Sequence, residues 1–196
     1  MKSDMRVLLT KRLLKEGLLC LLKETPISRI TITDLCRVSG VNRATFYKHY
    51  ETPVMILREI AYDYAASLKE IFNHTPASGQ DIEAKVIACL SFLMEKKEEI
   101  KLLYSPNAEN YLSGFMMEIV NDFVISSRAV RPEDIRSGAS DEYLPAVLTA
   151  SAAVGLIQTW LVRDIPKTPQ EIVDILKKTF GPDFLQQNAL FTRYGL

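Results

Sequence analysis

Apolar residues recur every three or four positions along most of the chain, which is the spacing of one face of an α-helix. A first apolar stripe, with charged residues between its members, consists of Leu8, Leu9, Leu13, Leu14, Leu18, Leu21 and Leu22. Pro26 follows this stripe, and a proline disfavours helical backbone in the residue before it. The pattern therefore predicts one amphipathic helix over residues 5–23.

Two short helices are predicted after this proline. Thr31 stands at the position of an N-cap, and an acidic residue three positions later forms a variant capping box, which predicts a helix over residues 32–39. Gly40 follows, where a short turn needs a positive φ angle. Asn42 is a good cap for the next predicted helix, residues 43–50.

The same spacing predicts helices through the remainder of the chain. Thr52 and Pro53 begin one that runs to about Asn73, with proline at the first helical position. The others are predicted at residues 82–97, 98–104, 108–127, 144–163 and 169–180. Because no segment alternates apolar and polar residues as a strand does, the predicted fold class is all-α, with about nine helices.

Charge is divided unevenly between the two parts of the sequence. The chain has 24 Lys or Arg, 24 Asp or Glu and a formal net charge of zero. Residues 1–50 hold ten Lys or Arg and four Asp or Glu, a net charge of +6, so the remaining residues carry −6. A basic segment on an acidic body indicates that the basic part meets a polyanion, although solvated surface charge alone explains such clustering too.

The two short helices and the turn between them have the pattern of a helix-turn-helix, whose second helix reads DNA in the major groove. Leu35 and Cys36 supply the inner face of the first helix, while Phe46 and Tyr50 face inward from the second. A purely structural helical hairpin is the alternative. Such a hairpin has no need of so many polar and aromatic side chains on one short helix.

The exposed side of this motif carries residue types that suit DNA. Arg43 can pair with guanine O6 and N7, and Ala44 and Tyr47 can touch a thymine methyl or a base edge. Hydroxyl, ammonium and imidazole groups nearby can bond phosphates, as can the free backbone amides at Thr31. The candidate DNA-binding residues are Thr31, Thr33, Asn42, Arg43, Ala44, Thr45, Tyr47, Lys48 and His49.

The string ITITDLCRVSGVNRATFYKHYETPVMIL, residues 30–57, resembles the TetR/AcrR family of regulators. The family pattern has a Thr cap, an apolar pair, Gly-Val, a small polar cap, and then Thr-Phe/Leu-Tyr-x-His/Tyr-Phe/Tyr, and this string matches every element. With the flanking helices, the resemblance covers about residues 5–73. It implies a three-helix DNA-binding domain at residues 1–52, a linking helix at 53–73, and a helical effector-binding and dimerisation domain at 74–196.

One position departs from the family pattern. The family usually has Lys where this chain has Pro53, and that Lys contacts a phosphate. Proline cannot make this contact, so one charged contact is expected to be lost, and neither Thr52 nor Pro53 is included among the site residues. The departure leaves open an interaction protein of the same fold that no longer binds DNA.

The resemblance implies that the second domain pairs with a second copy and binds a small-molecule effector. Residues 152–176 also resemble, less closely, the C-terminal part of a subgroup of these regulators. The candidate dimer residues are Ala146, Ala150, Ala153, Ile157, Trp160, Ile172, Ile175 and Leu176. The candidate pocket residues are Phe92, Tyr104, Tyr111, Phe115, Met116 and Phe123. Packing within one subunit is the alternative for the first set, and plain core for the second.

The sequence gives little support to other classes of protein. The three cysteines match no metal motif, and we expect them to be buried free thiols in a reducing cytoplasm. No nucleophile, phosphate loop or metal signature indicates an enzyme or a cofactor. The longest apolar run, residues 146–157, is shorter than the ~20 residues of a membrane span.

The sequence thus predicts a cytoplasmic regulator, not an enzyme, that binds a palindromic DNA operator as a homodimer and is modulated by an effector. Repression is the usual outcome that the resemblance implies, and activation is the alternative.

Overall fold

The computed structural model describes residues 2–74, 82–109, 111–116, 143–182 and 185, and within these ranges every regular element is helical. The helices are α1 (Lys2–Leu22), α2 (Ile32–Ser39), α3 (Arg43–Tyr47), α4 (Pro53–His74), α5 (Ile82–Glu95), α6 (Lys97–Leu103), α7 (Tyr143–Val162) and α8 (Pro169–Phe180). Residues 111–116 are helical too, and 3-10 turns span Ile27–Arg29 and Pro106–Ala108. The all-α class is confirmed.

Most helix boundaries lie close to their predicted positions, because caps and prolines mark them in the sequence. Both α2 and α8 begin and end at the predicted residues. The exception is α3, which ends at Tyr47 instead of Tyr50, where the backbone passes into a turn. Most of the helix predicted at residues 108–127 lies outside the described residues.

The chain divides into two compact units. Unit 1 comprises Met1–Ala65 and Lys101–Leu112, and unit 2 comprises Ala66–Ile100 and Ser113–Leu196. The first half of α4 thus belongs to unit 1 and the second half to unit 2. The functional division predicted at residues 52 and 73 stays a prediction, because compactness does not assign roles.

The core of unit 1 forms around the second half of α1. Leu14, Leu18 and Leu22 are fully buried there. Leu8 and Leu9, in the first turns of the same apolar stripe, are instead 65% and 55% exposed. α2 packs against α1 near Gly17, beyond the reach of these first turns.

Gly17 lets the backbones of α1 and α2 approach closely. A Cβ atom built on Gly17 would lie 3.0 Å from the Cβ and 3.3 Å from the Cα atom of Ser39. Glycine in the middle of a helix costs ~1 kcal/mol relative to alanine, so its presence here indicates a steric need.

A segment from late in the chain completes unit 1. The side-chain amide of Asn107 donates a hydrogen bond of 2.9 Å to the carbonyl oxygen of Leu22, the last residue of α1. Carbonyl groups at the end of a helix have no partner within the helix, so this bond caps α1. Ala108 is fully buried beside it in the sequence.

In unit 2, α8 is held at its start and along its side. Thr168 and Glu171 form a capping box at its N-terminus. Hydrogen bonds from Lys167 and Thr168 lower the pKa of Glu171 to about 2. Further along α8, Lys177 lies 2.7 Å from the carboxylate of Glu83 in α5. The ion pair with Glu83 holds α8 against α5.

The three cysteines are free, but the expectation that all are buried is wrong for Cys20, which is exposed. Cys20 lies on the side of α1 opposite Leu14 and Leu18. Cys36 is half-buried, and Cys89 is buried, which raises the pKa of its thiol to about 12. Among the described residues, no helix is both long and apolar enough to cross a membrane.

Because Gly17 is closely packed, replacement by alanine should have opposite effects on stability at two helical glycines, Gly17 and Gly114. Gly114, in residues 111–116, is exposed with no atom near a built Cβ, so Gly114→Ala should stabilise the protein by ~1 kcal/mol. Gly17→Ala should destabilise it, because the clash with Ser39 outweighs the gain in helix propensity. Urea unfolding measures both changes, and a stabilised Gly17→Ala variant would contradict the steric argument.

Candidate nucleic-acid interface

The candidate interface begins with the N-terminus of α2, which is capped as predicted. The Thr31 hydroxyl oxygen accepts a hydrogen bond of 3.1 Å from the backbone amide of Asp34, and donates one of 2.6 Å to the Asp34 carboxylate. The hydrogen bond from Thr31, with a second from Arg37, lowers the pKa of Asp34. The start of α2 therefore carries a fixed negative charge that complements the helix dipole.

The turn between α2 and α3 has the conformation that its residues indicate. Gly40 adopts a φ angle of 70°, in the left-handed region, as predicted. Val41 is buried, and its amide donates a 3.4 Å hydrogen bond to the Ser39 hydroxyl. The Asn42 side chain then accepts a 2.8 Å hydrogen bond from the amide of Thr45 and caps α3.

The two sides of α3 differ in the way that a DNA-reading helix requires. Phe46 is fully buried, and Tyr50, just beyond the helix, is 3% exposed, with 6.1 Å between their ring centroids. This inward pair was predicted. On the other side Arg43 and Tyr47 are exposed, with their guanidinium and hydroxyl groups 3.5 Å apart. The pair predicted to read bases thus faces solvent.

The remaining candidate residues surround this pair. Thr31, Thr33, Asn42, Ala44 and Lys48 are exposed, whereas Thr45 and His49 are half-buried. All nine residues lie in one segment of 19 residues around α2 and α3. Their individual roles toward DNA stay predictions.

A cluster of charges between α1 and α4 was not found from the sequence. Lys11 Nζ lies 3.1 and 3.2 Å from the two carboxylate oxygens of Glu59, and Lys15 Nζ lies 2.7 Å from one of them. Lys15 also pairs with Asp63. The partners are 44 to 48 residues apart, so no local pattern reveals them. We call Lys11, Lys15, Glu59 and Asp63 the α1–α4 ion cluster.

The pKa values of this cluster reflect its pairing. Partial burial would raise the pKa of Glu59, but hydrogen bonds from Lys15 and Lys11 outweigh burial and lower it. Lys15 shows the reverse, since partial burial is outweighed by Asp63 and Glu59 and its pKa is raised. Burial is the largest cause that raises the pKa of Tyr50, and the neighbouring Glu59 raises it further.

The predicted dimer residues are mostly buried inside unit 2. The five buried members are Ala150, Ala153, Trp160, Ile172 and Leu176. The Trp160 indole nitrogen donates a 2.9 Å hydrogen bond to the Lys167 carbonyl oxygen, within the same chain. Ile157 and Ile175 are half-buried, and the Ala146 side chain lies outside what the structure describes. Burial of the five agrees with the alternative of packing within one subunit.

The predicted pocket residues fall into both units. Tyr104 and Tyr111 belong to unit 1, while Phe92, Phe115 and Met116 belong to unit 2. Phe123 lies outside the described residues. Phe115 is 6% exposed, and burial raises the pKa of Tyr104 to about 12. An apolar setting suits both plain core and a ligand pocket, so the effector site stays a prediction.

Comparisons with known proteins agree with this architecture. Residues 80–181, just over half of the chain, match the TetR_C_8 family model, described as a transcriptional regulator C-terminal region. The fold is similar to the crystal structure of a TetR transcriptional regulator from Streptococcus agalactiae 2603V. That match has a TM-score of 0.58 and 20% sequence identity, and covers 92% of this chain and 98% of the other. No curated protein matches the sequence.

The fold is therefore that of an all-α protein whose N-terminal helix-turn-helix precedes a helical C-terminal region. The chain belongs to the TetR family of transcriptional regulators. The resemblance stated from residues 30–57 is thereby confirmed by a match to a different part of the sequence.

The hydrogen bonds at the N-terminus of α2 predict how the pKa of Asp34 changes when a partner is removed. Thr31→Ala should raise this pKa toward its ordinary value, because the largest stabilising hydrogen bond to the carboxylate is lost. Arg37→Gln should also raise it, because a second hydrogen bond and the charge of the guanidinium group are lost. NMR titration of the Asp34 carboxyl carbon measures both shifts. An Asp34 pKa that Thr31→Ala leaves unchanged would contradict this assignment.

Proposed function

We propose that this TetR-family protein is a transcriptional repressor that binds a palindromic DNA operator as a homodimer and is released by a small-molecule effector. One recognition helix, α3, from each protomer enters the major groove, and the two-fold symmetry of the dimer makes the operator palindromic. Half-sites in such complexes lie about 34–36 Å apart, or a multiple of this distance.

The observation that carries this proposal is the division of α3 into a buried and an exposed side. Phe46 anchors the helix, and Arg43 and Tyr47 are exposed on its other side. A guanidinium group at the start of a helix that enters the major groove is well placed for the two acceptors of guanine. The charge of +6 over residues 1–50 favours approach to DNA.

The homodimer is supported by a side of α7 that is not buried in its own chain. None of the 20 residues of α7 is charged, yet Leu144 and Leu148 are 72% and 68% exposed. Ala152 and Thr159 are exposed on the same side, and a Cβ built on Gly155, between them, meets no atom within 4 Å. We call Leu144, Leu148, Ala152, Gly155 and Thr159 the outer face of α7.

A second copy suits this face better than solvent does. An uncharged helix with exposed leucines leaves apolar surface in water, and a matching face on a second copy removes that surface. A mid-helix glycine without a steric need inside the chain allows close approach of a helix from outside. We therefore propose that the dimer forms through the outer face of α7, and not through Trp160 or Leu176.

The effector is proposed to bind in the second unit, beside the predicted pocket residues that belong to it, Phe92, Phe115 and Met116. Binding there changes DNA affinity when the two conformations of the dimer bind the effector unequally, a coupling of ~1–3 kcal/mol in typical cases.

Three substitutions test whether α3 is the recognition helix. Arg43→Ala and Tyr47→Ala should each weaken binding to a site that the wild-type protein selects from randomised duplexes, by ~1–3 kcal/mol, because base contacts are lost. Lys48→Ala should instead reduce the slope of log affinity against log salt by about 0.9, the value for one phosphate contact. Gel-shift titrations at several salt concentrations measure both quantities.

Arg12→Met is the matched control for these variants, because Arg12 is exposed on α1 and paired with Glu16, away from α3. It should leave the affinity for the selected site unchanged. If the wild-type protein selects no sequence, the proposal of operator binding fails, and an interaction protein of the same fold is favoured. If Arg43→Ala binds as well as wild type, α3 is not the reading helix.

The dimer proposal predicts that Gly155→Arg abolishes self-association. The arginine fits the single chain because the space around Gly155 is open, but it places a charge and a long side chain in the proposed interface. Gly114→Arg, at the other open helical glycine, is the control and should remain dimeric. Sedimentation equilibrium measures the dissociation constants. A Gly155→Arg protein as dimeric as the wild type would place the interface elsewhere.

A further inference from the structure

The two lysines of the α1–α4 ion cluster are not in the state of typical DNA-binding lysines. Their side chains are only 32% (Lys11) and 19% (Lys15) exposed, and both ammonium groups bond to Glu59. A lysine ammonium group is compact and strongly hydrated when it is exposed to solvent. Although both residues count toward the basic charge of residues 1–50, their ammonium groups are already paired with carboxylates of the same chain.

Lys11 also contacts the segment that follows the recognition helix. Its Nζ atom lies 5.6 Å from the centroid of the Tyr50 ring, which is within the range of a cation–π interaction. Tyr50 is buried, and its amide bonds to the carbonyl of Phe46, the anchor of α3. One ammonium group therefore joins α1, the end of the recognition segment and α4.

We propose that Lys11 and Glu59 are positioning residues for the recognition helix, acting through Tyr50 and not by contact with DNA. This inference rests on the proposed DNA binding by α3. Lys11 holds the Tyr50 ring from one side, and Glu59 holds Lys11. Lys15, which also pairs with Asp63, keeps the Glu59 carboxylate in place. The orientation of Arg43 and Tyr47 then depends on charges that never touch the nucleic acid.

The alternatives differ from this proposal in measurable ways. A phosphate contact contributes equally to every DNA sequence and increases the salt dependence of binding. A positioning residue contributes to base reading only, so its loss weakens specific binding and leaves non-specific binding and the salt slope as they were. A residue needed only for stability changes the fraction of folded protein, and not the affinity of the folded molecules.

The experiment compares Lys11→Met, Glu59→Gln and Lys11→Arg in the full-length protein. The probes are the duplex that the wild-type protein selects from a randomised library and a scrambled duplex of the same length and composition. The active fraction of each variant is first titrated at a duplex concentration far above the dissociation constant. Affinities are then measured by fluorescence anisotropy over a range of salt concentrations, with Arg12→Met as the control for loss of charge on α1.

Lys11→Met and Glu59→Gln should each lower affinity for the selected duplex about tenfold, with scrambled-duplex affinity changed less than about twofold. The salt slope should not change, and Lys11→Arg should restore binding because arginine keeps the charge and the cation–π contact. Equal losses on both duplexes with a slope reduced by about 0.9 would overturn the proposal in favour of a phosphate contact. Unchanged affinity of the active fraction would overturn it in favour of a purely structural role. Failure of the wild-type protein to select any duplex would refute the proposed function instead.

Discussion

The proposed recognition helix, α3, has only five residues, and a helix of that length has no stability of its own in water. Its conformation depends on the burial of Phe46 and on the cap from Asn42. Arg43 and Tyr47 are four residues apart and therefore share one side of α3, which is exposed. What α3 presents to solvent thus depends on one buried phenylalanine ring.

Features set by neighbouring residues could be predicted from the sequence. The caps at Thr31 and Asn42 and the left-handed Gly40 each need only a few adjacent residues to form, so local residue types suffice to indicate them. The bounds of α2 and α8 follow for the same reason. The helix-turn-helix, and hence most of the candidate site, was accessible in this way.

Features set by distant residues could not be predicted. The ion pairs of Glu59 join α1 to α4 across 44 to 48 residues, and no residue pattern near Lys11 indicates them. The buried side of α7 could not be predicted either, because a helix without charged residues has no polar stripe from which to infer the opposite side. The sequence around Trp160 is therefore compatible with an interface as well as with a core. The exposure of Leu8 likewise depends on where α2 crosses α1.

The bond between Asn107 and the carbonyl of Leu22 has a consequence for the order in which the protein is made. Residues 101–112 belong to the same compact unit as α1 and the first part of α4, but they leave the ribosome only after an interval in which α5 emerges. During that interval the end of α1 lacks its cap, and the buried site of Ala108 is empty. The first unit can reach its final packing only after the chain has passed through α5 and α6. In a nascent chain that stops at α4, α3 therefore belongs to a first unit that lacks residues 101–112.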